Sequence, residues 1–376
     1  MIQSTEQFHR PTWCEIDLSA IDRNIRLTRE IVGSSVKLFV CLKGNASGCG
    51  AIEVGFAAQR AGADGLAFGN IDFALESRRA GIDLPILLYP SCLPASAHVL
   101  EANGMIATLS TREDIVAWSA QTRSRLEVFL KVDCGGLRAG ALPRDAVALA
   151  TAIAADPKLS LAGVYGHTLA TYGKHVPGAV EEQIGIFRNV IAQIEQAGIR
   201  VPLKMFSSSE LIPKHPAADF NAIDPGRLIV GIGFPAVPER QRQWSPALVG
   251  LKSRLVMKKA LGPTPELESP PPFDVRPNMV IGLIPFGWSD GYPRQMPPSA
   301  TALVKGRRVR ILGPTHSELM RIDLTDVPGA EVGDEVVLFG KSEGEEITME
   351  ELAQQWGVGT FDIYNRIGKS VARRYV

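Results

Sequence analysis

Short apolar stretches alternate with helix-like stretches along residues 37–235, and this pattern constrains the fold more than any other feature. Leu38–Leu42 and Met105–Leu109 are typical apolar stretches, and Ala51–Arg60 is a typical helical one. Such alternation is typical of a parallel sheet covered by helices on both faces. About eight strand–helix units fit into this region, which predicts an α/β fold with a closed, TIM-type (β/α)8 barrel rather than an open sheet.

A second domain is predicted after the barrel, because the pattern changes beyond Phe234. A proline-rich segment, Gly262–Arg276, interrupts a series of short apolar runs that Gly, Pro and Asp separate at hairpin-like distances. We therefore predict a barrel domain at residues 12–238 and a mainly antiparallel β domain at residues 239–376. We expect residues 1–11 to join the second domain.

Charge balance and cysteine content exclude several classes of protein. The chain has 40 Lys and Arg residues and 40 Asp and Glu residues, so no net field attracts nucleic acid or an anionic membrane. It contains no long apolar run, and Met1–Pro11 is mostly polar, unlike a signal peptide. Five cysteines without CxxC spacing favour reduced thiols and no structural zinc. We expect a cytoplasmic enzyme without a metal.

Reactive side chains stand where the predicted strands end. A lysine in such a place, like Lys43, can be a nucleophile or base when it is partly desolvated. Lys43 by itself is equally consistent with a side chain that only leaves a strand for solvent. Further along the chain, strand ends are followed by Lys131 with Arg138, by His167, by three serines and by a glycine turn. Together these groups suit a phosphate-bearing cofactor that is held by a Schiff-base lysine.

The chain resembles the alanine racemase family almost from end to end. The matching segments are Trp13–Asp17, Leu42–Lys43 with Asn45 and Ala46, Lys131–Asp133 with Arg138, His167, Pro225–Gly226, Asp290–Arg294 and Asp323–Asp326. The resemblance implies pyridoxal 5′-phosphate as the cofactor and a free amino acid as the substrate. It also implies a homodimer in which the β domain of one chain completes the active site of the other.

The resemblance assigns roles to residues of the barrel domain. Lys43 would carry the cofactor as a Schiff base and act as one of two bases. Arg138, held by Lys131, would approach the substrate carboxylate, and His167 would pack against the pyridine ring. The groups that would bind the cofactor phosphate are the Ser209 side chain and the amides of Gly226 and Arg227.

Several positions depart from the family pattern. The family's second base is a tyrosine where this chain has Trp288, and indole exchanges no proton near neutral pH. His316 and Glu318 are the best substitutes by position, and Cys49 comes third. Two tyrosines that contact the phosphate in the family correspond to Ser47 and Phe361.

Asp224 stands where the family has an arginine directed at the pyridine nitrogen. A carboxylate in contact would raise the pKa of that nitrogen by roughly 1–3 units, and a protonated ring stabilises a carbanion at the substrate Cα. The flanking Ile223 and Pro225 favour a side chain that points inward. The other interpretation is a carboxylate that caps the turn and faces solvent.

From the retained and altered positions we expect a racemase or epimerase that acts at the Cα of an amino acid other than alanine. The alternative is a one-base lyase, aldolase or decarboxylase on a D-configured or α-substituted amino acid, which Trp288 and Asp224 favour. A third alternative is a non-catalytic cofactor carrier, because many positions are altered.

Overall fold

The structure is a computed structural model, and it describes residues 9–168, 176–234, 236–263, 269 and 271–376. The chain forms two compact units. One is Ser19–Ser245, and the other combines the residues up to Leu18 with Pro246–Val376. Most of the predicted joining segment, residues 1–8, lies outside the described ranges. No helix in these ranges is long and apolar enough to cross a membrane.

After a first strand, β1 (Thr12–Ile16), that belongs to the other unit, eight parallel strands close into a barrel. They are β2 (Lys37–Cys41), β3 (Gly65–Phe68), β4 (Ile86–Leu88), β5 (Met105–Leu109), β6 (Leu126–Lys131), β7 (Leu159–Tyr165), β8 (Leu203–Ser207) and β9 (Ala222–Ile223). Each strand pairs in parallel with the next, and β9 pairs with β2. The predicted closed α/β barrel is therefore confirmed.

Helices alternate with these strands. They are α1 (Leu18–Val32), α2 (Lys43–Ser47), α3 (Ala51–Arg60), α4 (Ile71–Arg79), α5 (Ala97–Ala102), α6 (Arg112–Gln121), α7 (Ala146–Ala155) and α8 (Ala179–Gln196). Local sequence fixes several of their starts. Asn70 accepts hydrogen bonds from the first amides of α4, and Thr111 forms a capping box with Asp114 in α6.

The barrel interior is filled by one side chain from each strand. These are Phe39, Ala67, Leu87, Ile106, Phe129, Tyr165, Met205 and Ala222. Two glycines make room for the rings, since a Cβ on Gly65 would lie 2.4 Å from the Phe39 ring and one on Gly163 would lie 2.5 Å from the Phe129 ring. The side chains at the end of the barrel therefore stand on a packed floor, not above a pore.

The second unit is a mainly antiparallel sheet, as predicted, and it also carries two helices. Its further strands are β10 (Leu248–Arg254), β11 (Met257–Ala260), β12 (Val280–Ile284), β13 (Thr301–Val304), β14 (Arg307–Leu312), β15 (Met320–Asp323), β16 (Glu335–Ser342), β17 (Glu345–Ile347) and β18 (Ala372–Tyr375). The sheet order is β11-β12-β15-β14-β13-β16-β10-β1-β18, with β17 beside β16. The helices are α9 (Met349–Trp356) and α10 (Thr360–Arg366).

The two units divide at different residues from the predicted domains. The barrel domain was predicted from residue 12, but β1 pairs with β10 and β18 in the other unit, with Cys14 opposite Leu251 and Arg373. At the other boundary, residues 239–245 stay with the barrel unit. There, Asn24 exchanges two hydrogen bonds of 2.8 Å with the backbone of Ser245.

Candidate active site

Polar side chains stand at the carboxyl ends of six of the eight barrel strands. They are Lys43 after β2, Tyr89 after β4, Lys131 ending β6, His167 after β7, Ser209 after β8 and Asp224 after β9. Because the strands are parallel, all of these ends share one mouth of the barrel. Five of these residues were predicted site residues, and Tyr89 is an addition.

Lys43 begins a left-handed turn. Residues Gly44–Ser47 have φ values of 61°, 58°, 54° and 52°, and only the first is a glycine. Left-handed backbone costs about 1–2 kcal/mol for each residue with a Cβ, and such strain clusters at functional sites. The Ala46 amide supports the turn by donating to the Leu42 carbonyl at 3.0 Å. Gly69 lets the lysine stem pass, because a Cβ there would lie 3.2 Å from the lysine Cγ.

Asp224 and Tyr89 form a hydrogen-bonded pair at the mouth. The Tyr89 hydroxyl donates to Asp224 Oδ2 at 2.7 Å. Burial raises the pKa of Asp224, while Lys43, the Tyr89 hydrogen bond and Lys131 act in the opposite direction. Burial and the neighbouring Asp224 charge raise the pKa of Tyr89, so the phenol keeps its proton. The Asp224 carboxylate therefore points into the mouth, and its contact with a cofactor stays a prediction.

Lys131 and Arg138 add positive charge near His167 at the same mouth. Lys131 Nζ lies 4.1 Å from the centre of the Tyr165 ring. Burial lowers the pKa of Lys131 to about 8, and Arg138 and Lys43 add to this effect against the carboxylate of Asp224. Burial and the nearby Lys43, Lys131 and Arg138 lower the pKa of His167 to about 3. His167 is therefore neutral at any working pH and can present an uncharged ring.

The loop that carries Arg138 is held by one carboxylate. Asp133 accepts hydrogen bonds from the amides of Gly135, Gly136 and Arg138 at 3.0, 2.7 and 2.7 Å. These bonds fix the backbone at Arg138, although its side chain is exposed. The arginine is thus anchored near Lys131 and His167, whose pKa values it lowers, and its guanidinium stays accessible to an anion.

Replacing Lys131 with methionine should change how stability depends on pH. A lysine whose pKa falls from 10.5 to about 8 on folding binds fewer protons than in the unfolded chain, so native stability rises from pH 8 to 10.5. The Lys131→Met protein lacks this term. Urea unfolding at several pH values measures the free energy of unfolding of both proteins. Between pH 8 and pH 10.5, this free energy should rise by about 3 kcal/mol more for the native protein than for the variant. A constant difference between the two proteins would contradict a lowered pKa of Lys131 in the folded protein.

A backbone cradle lies at the ends of β8 and β9. The buried Ser209 Oγ accepts hydrogen bonds from the amides of Gly226 at 2.9 Å and Leu228 at 3.3 Å. Glycine at position 226 allows close packing, since a Cβ there would lie 3.2 Å from the Cys41 carbonyl oxygen. The predicted Arg227 forms an ion pair with Glu210 at 2.8 Å. The Ser209 oxygen already accepts two hydrogen bonds, so its own proton can be donated to an anion.

The second unit carries four of the five remaining predicted residues, namely Trp288, His316, Glu318 and Phe361. Trp288 is 48% exposed, and His316 and Glu318 are exposed as well. The Trp288 amide donates to the His316 carbonyl at 3.0 Å, which joins the two loops. Phe361 lies on α10, and the remaining predicted residue, Ser47, is buried in the left-handed turn of the barrel unit. The structure thus groups Trp288, His316 and Glu318 on one surface of this unit.

A buried aspartate fixes the loop of Trp288. Asp290 accepts two hydrogen bonds of 2.6 Å from the Arg10 guanidinium, one from Ser370 and one from the Gly287 amide. The Arg10 and Ser370 bonds hold the pKa of Asp290 below its usual range despite burial. Gly287 is required here, because a Cβ would lie 2.3 Å from the His316 carbonyl oxygen. Trp288 is therefore an exposed side chain on a rigid backbone.

A barrel with a lysine after its first strand and an anion cradle at its last two strands defines a class: barrel enzymes that use pyridoxal 5′-phosphate. Comparison with known proteins agrees. The family model for the N-terminal domain of alanine racemase matches residues 16–233, and that for the C-terminal domain matches residues 251–375. The chain therefore belongs to the alanine racemase family, whose enzymes use pyridoxal 5′-phosphate.

Individual relatives cover nearly the whole chain. The alanine racemase of Desulforamulus reducens is 32% identical over 374 residues, covering 97% of this chain and 99% of the relative. That of Desulfovibrio desulfuricans is 30% identical over 372 residues, covering 98% and 99%. Alanine racemase from Bacillus anthracis with bound L-Ala-P superposes with a TM-score of 0.87 at 26% identity, covering 98% and 96%. The expected family, enzyme class and cofactor are confirmed.

The residues at the barrel mouth fit this cofactor. The Ser209 hydroxyl keeps a proton that it can donate to a phosphate, while the Gly226 amide, a predicted phosphate donor, already donates to Ser209 Oγ. Lys43 provides an amine within the same mouth, and the neutral His167 provides a flat ring. The chemistry of the donor set therefore agrees with the family assignment.

Sequence reasoning missed Tyr89 and Tyr165, the two rings next to the lysines. In the sequence, both tyrosines look like ordinary apolar residues of predicted strands. Their centres are 6.1 Å apart, and the Tyr165 hydroxyl lies 3.1 Å from Thr108 Oγ1. The one available signal was the position of Tyr89, directly after a strand end, where barrel enzymes place functional groups.

Proposed function

We propose that the protein interconverts the stereoisomers of a free amino acid other than alanine at its Cα. The observation that carries the proposal is the cluster of Lys43, Lys131, Arg138 and His167 at one barrel mouth. The specificity rests on Trp288, whose indole replaces the phenol of the family with a larger apolar surface. An apolar wall of that size favours a side chain different from that of alanine.

The bound cofactor would withdraw electrons from the substrate Cα and so acidify its proton. Lys43 Nζ would then hold or return that proton on one face of the carbon. The exposed Arg138 guanidinium, anchored through Asp133, would bind the substrate carboxylate. His167 would support the cofactor ring without adding charge, since its imidazole is neutral.

Asp224 is proposed as the partner of the cofactor's ring nitrogen. Its carboxylate points into the mouth, and among the described residues Tyr89 is the one side chain that donates to it. A carboxylate against the nitrogen stabilises the protonated ring and therefore a negative charge at Cα. The proposal predicts that the ¹⁵N chemical shift of ring-labelled cofactor is that of a protonated nitrogen, and that Asp224→Asn moves it toward the unprotonated value.

Stereoinversion needs a second proton donor on the opposite face of Cα. His316 and Glu318 are the proposed candidates, because the loop that carries them is hydrogen-bonded to the Trp288 backbone. The resemblance to the family implies a homodimer, and these residues would then come from the second chain. Light scattering on the purified protein tests the dimer, and a monomer at working concentrations would contradict it.

Proton exchange in deuterated water tests the proposed reaction. Both enantiomers of each amino acid should be incubated with the holoenzyme and followed by proton NMR and chiral chromatography. For a substrate, we expect the Cα proton to exchange and the opposite enantiomer to accumulate. If no amino acid shows exchange, the protein does not act at Cα and the proposal fails.

The same experiment distinguishes the proposed racemase from the second candidate function, a one-base lyase, aldolase or decarboxylase. This candidate is favoured by Trp288, which leaves Lys43 as the one base that the family pattern retains. It predicts exchange without inversion, together with ammonia, an aldehyde or carbon dioxide. Inversion without these products would decide for the racemase.

A further inference from the structure

Tyr89 contacts both of the opposite charges in the barrel mouth. Its hydroxyl donates to Asp224 Oδ2 at 2.7 Å, and Lys43 Nζ lies 4.7 Å from the centre of its ring. An ammonium at this distance from an aromatic ring is attracted to the π electrons. One side chain thus provides a partner for the lysine and another for the carboxylate.

The two charges attract each other but do not form an ion pair. Lys43 is the strongest of the charges that favour the ionised form of Asp224. Nevertheless, in the part of the chain that the structure describes, no nitrogen–oxygen contact within 4.0 Å joins them. The Tyr89 hydroxyl occupies one carboxylate oxygen of Asp224, and Lys43 Nζ lies over the Tyr89 ring.

Other titratable groups face the same pair. Lys131 at the end of β6 acts on Asp224, and Arg138 and His167 lie beyond it. Cys41 on β2 is a hydrogen-bond neighbour of the Tyr89 hydroxyl, and Tyr165 on β7 packs against the Tyr89 ring. In the described structure none of these neighbours is seen in contact with both Asp224 and Lys43, whereas Tyr89 contacts both.

We propose that Tyr89 is a positioning residue that prevents Asp224 from pairing with Lys43 and so keeps the lysine available for the cofactor. The inference rests on the proposed function in one respect, that Lys43 is the lysine that carries the cofactor. Attachment joins the Lys43 nitrogen to the aldehyde carbon and releases one water. The attacking amine must be unprotonated, and an ion pair with Asp224 would hold it as the ammonium.

Reconstitution of the full chain with pyridoxal 5′-phosphate tests this role. The cofactor is removed and added back, and the rate at which its visible absorbance band returns is measured between about pH 6 and pH 9. Tyr89→Phe keeps the ring but loses the hydroxyl. We expect this variant to attach the cofactor about 10-fold more slowly at neutral pH, with its rate profile moved about one unit to higher pH.

The matched variants separate positioning from a general structural effect. Asp224→Asn provides the reference rate, because it removes the carboxylate that could pair with Lys43 and also the proposed partner of the ring nitrogen. Adding Tyr89→Phe to this variant should have no further effect on its attachment rate. Tyr165→Phe removes a neighbouring hydroxyl that does not touch Asp224, so this variant should attach the cofactor at the native rate. The proposal is overturned if Tyr89→Phe attaches at the native rate, or if it slows attachment equally in the Asp224→Asn background.

These measurements use no amino acid, so they do not depend on which reaction the enzyme catalyses. If the Tyr89 effect is absent while Lys43→Ala still abolishes the absorbance band, the inference fails and the proposed function stands. If Lys43→Ala keeps the band, Lys43 does not carry the cofactor, and the proposed function fails with the inference.

Discussion

Replacing Lys43 with alanine should abolish the visible absorbance band of the bound cofactor and reduce exchange of the substrate Cα proton by roughly 10³–10⁴-fold. Lys43 is the amine that the fold presents at the end of β2, on a turn of three strained residues that have side chains. The change removes both the covalent anchor and one of the bases. Absorbance spectroscopy and proton NMR on the same sample measure the two losses.

A lysine on the same strand provides the control. Lys37 lies at the amino end of β2, where it forms an exposed ion pair with Asp64 at 2.7 Å. Exposed pairs of this kind contribute about 0–1 kcal/mol, so Lys37→Ala should fold and keep both the band and the exchange rate. A Lys43→Ala protein that keeps its absorbance band would show that another amine holds the cofactor.

The barrel and its catalytic end could be predicted because both depend on local patterns. Apolar stretches such as Leu38–Leu42 and Met105–Leu109 place strands through burial alone, and Ala51–Arg60 has helical periodicity. Once the strands are parallel, every residue that follows a strand lies at the same mouth. This geometry is why Lys43 and Asp224, which are far apart in sequence, could be assigned to one site.

The pairing of Tyr89 with Asp224 could not be predicted in this way. The two residues are 135 positions apart and follow strands that are not neighbours in the barrel. Which side chain reaches across a barrel depends on the packing of its floor, here the contact between the Tyr89 and Tyr165 rings. Periodicity carries no information about such cross-barrel contacts, so only the structure identifies Tyr89 as the partner of Asp224.

The position of β1 was missed for a related reason. Its sequence predicts a strand, but a strand has no preference for one sheet over another until its partners are known. Trp13, Cys14 and Ile16 are buried between β10 and β18, and the closing strand β18 lies at the far end of the chain. The sequence places β1 next to the barrel, whereas its hydrogen bonds belong to the other sheet.

Replacing Trp288 with tyrosine should create or increase alanine racemisation by about 10²–10⁴-fold, the range that one positioned proton donor contributes. The phenol can exchange a proton where the indole cannot. The substitution should be tolerated, because Trp288 is 48% exposed and its backbone is fixed by the His316 carbonyl and by Asp290. Initial rates with L- and D-alanine, measured by chiral chromatography, test the expectation.

Trp288→Phe separates the phenol from the change in size. Phenylalanine also shortens the side chain but has no hydroxyl, so it should admit alanine without providing the second proton. If Tyr and Phe accelerate alanine racemisation equally, the indole hinders alanine through its size and not through the missing phenol proton. The second base is then elsewhere, with His316 and Glu318 the first to be replaced. If neither variant acts on alanine while the native enzyme inverts another amino acid, the proton donor for the opposite face does not come from this position at all.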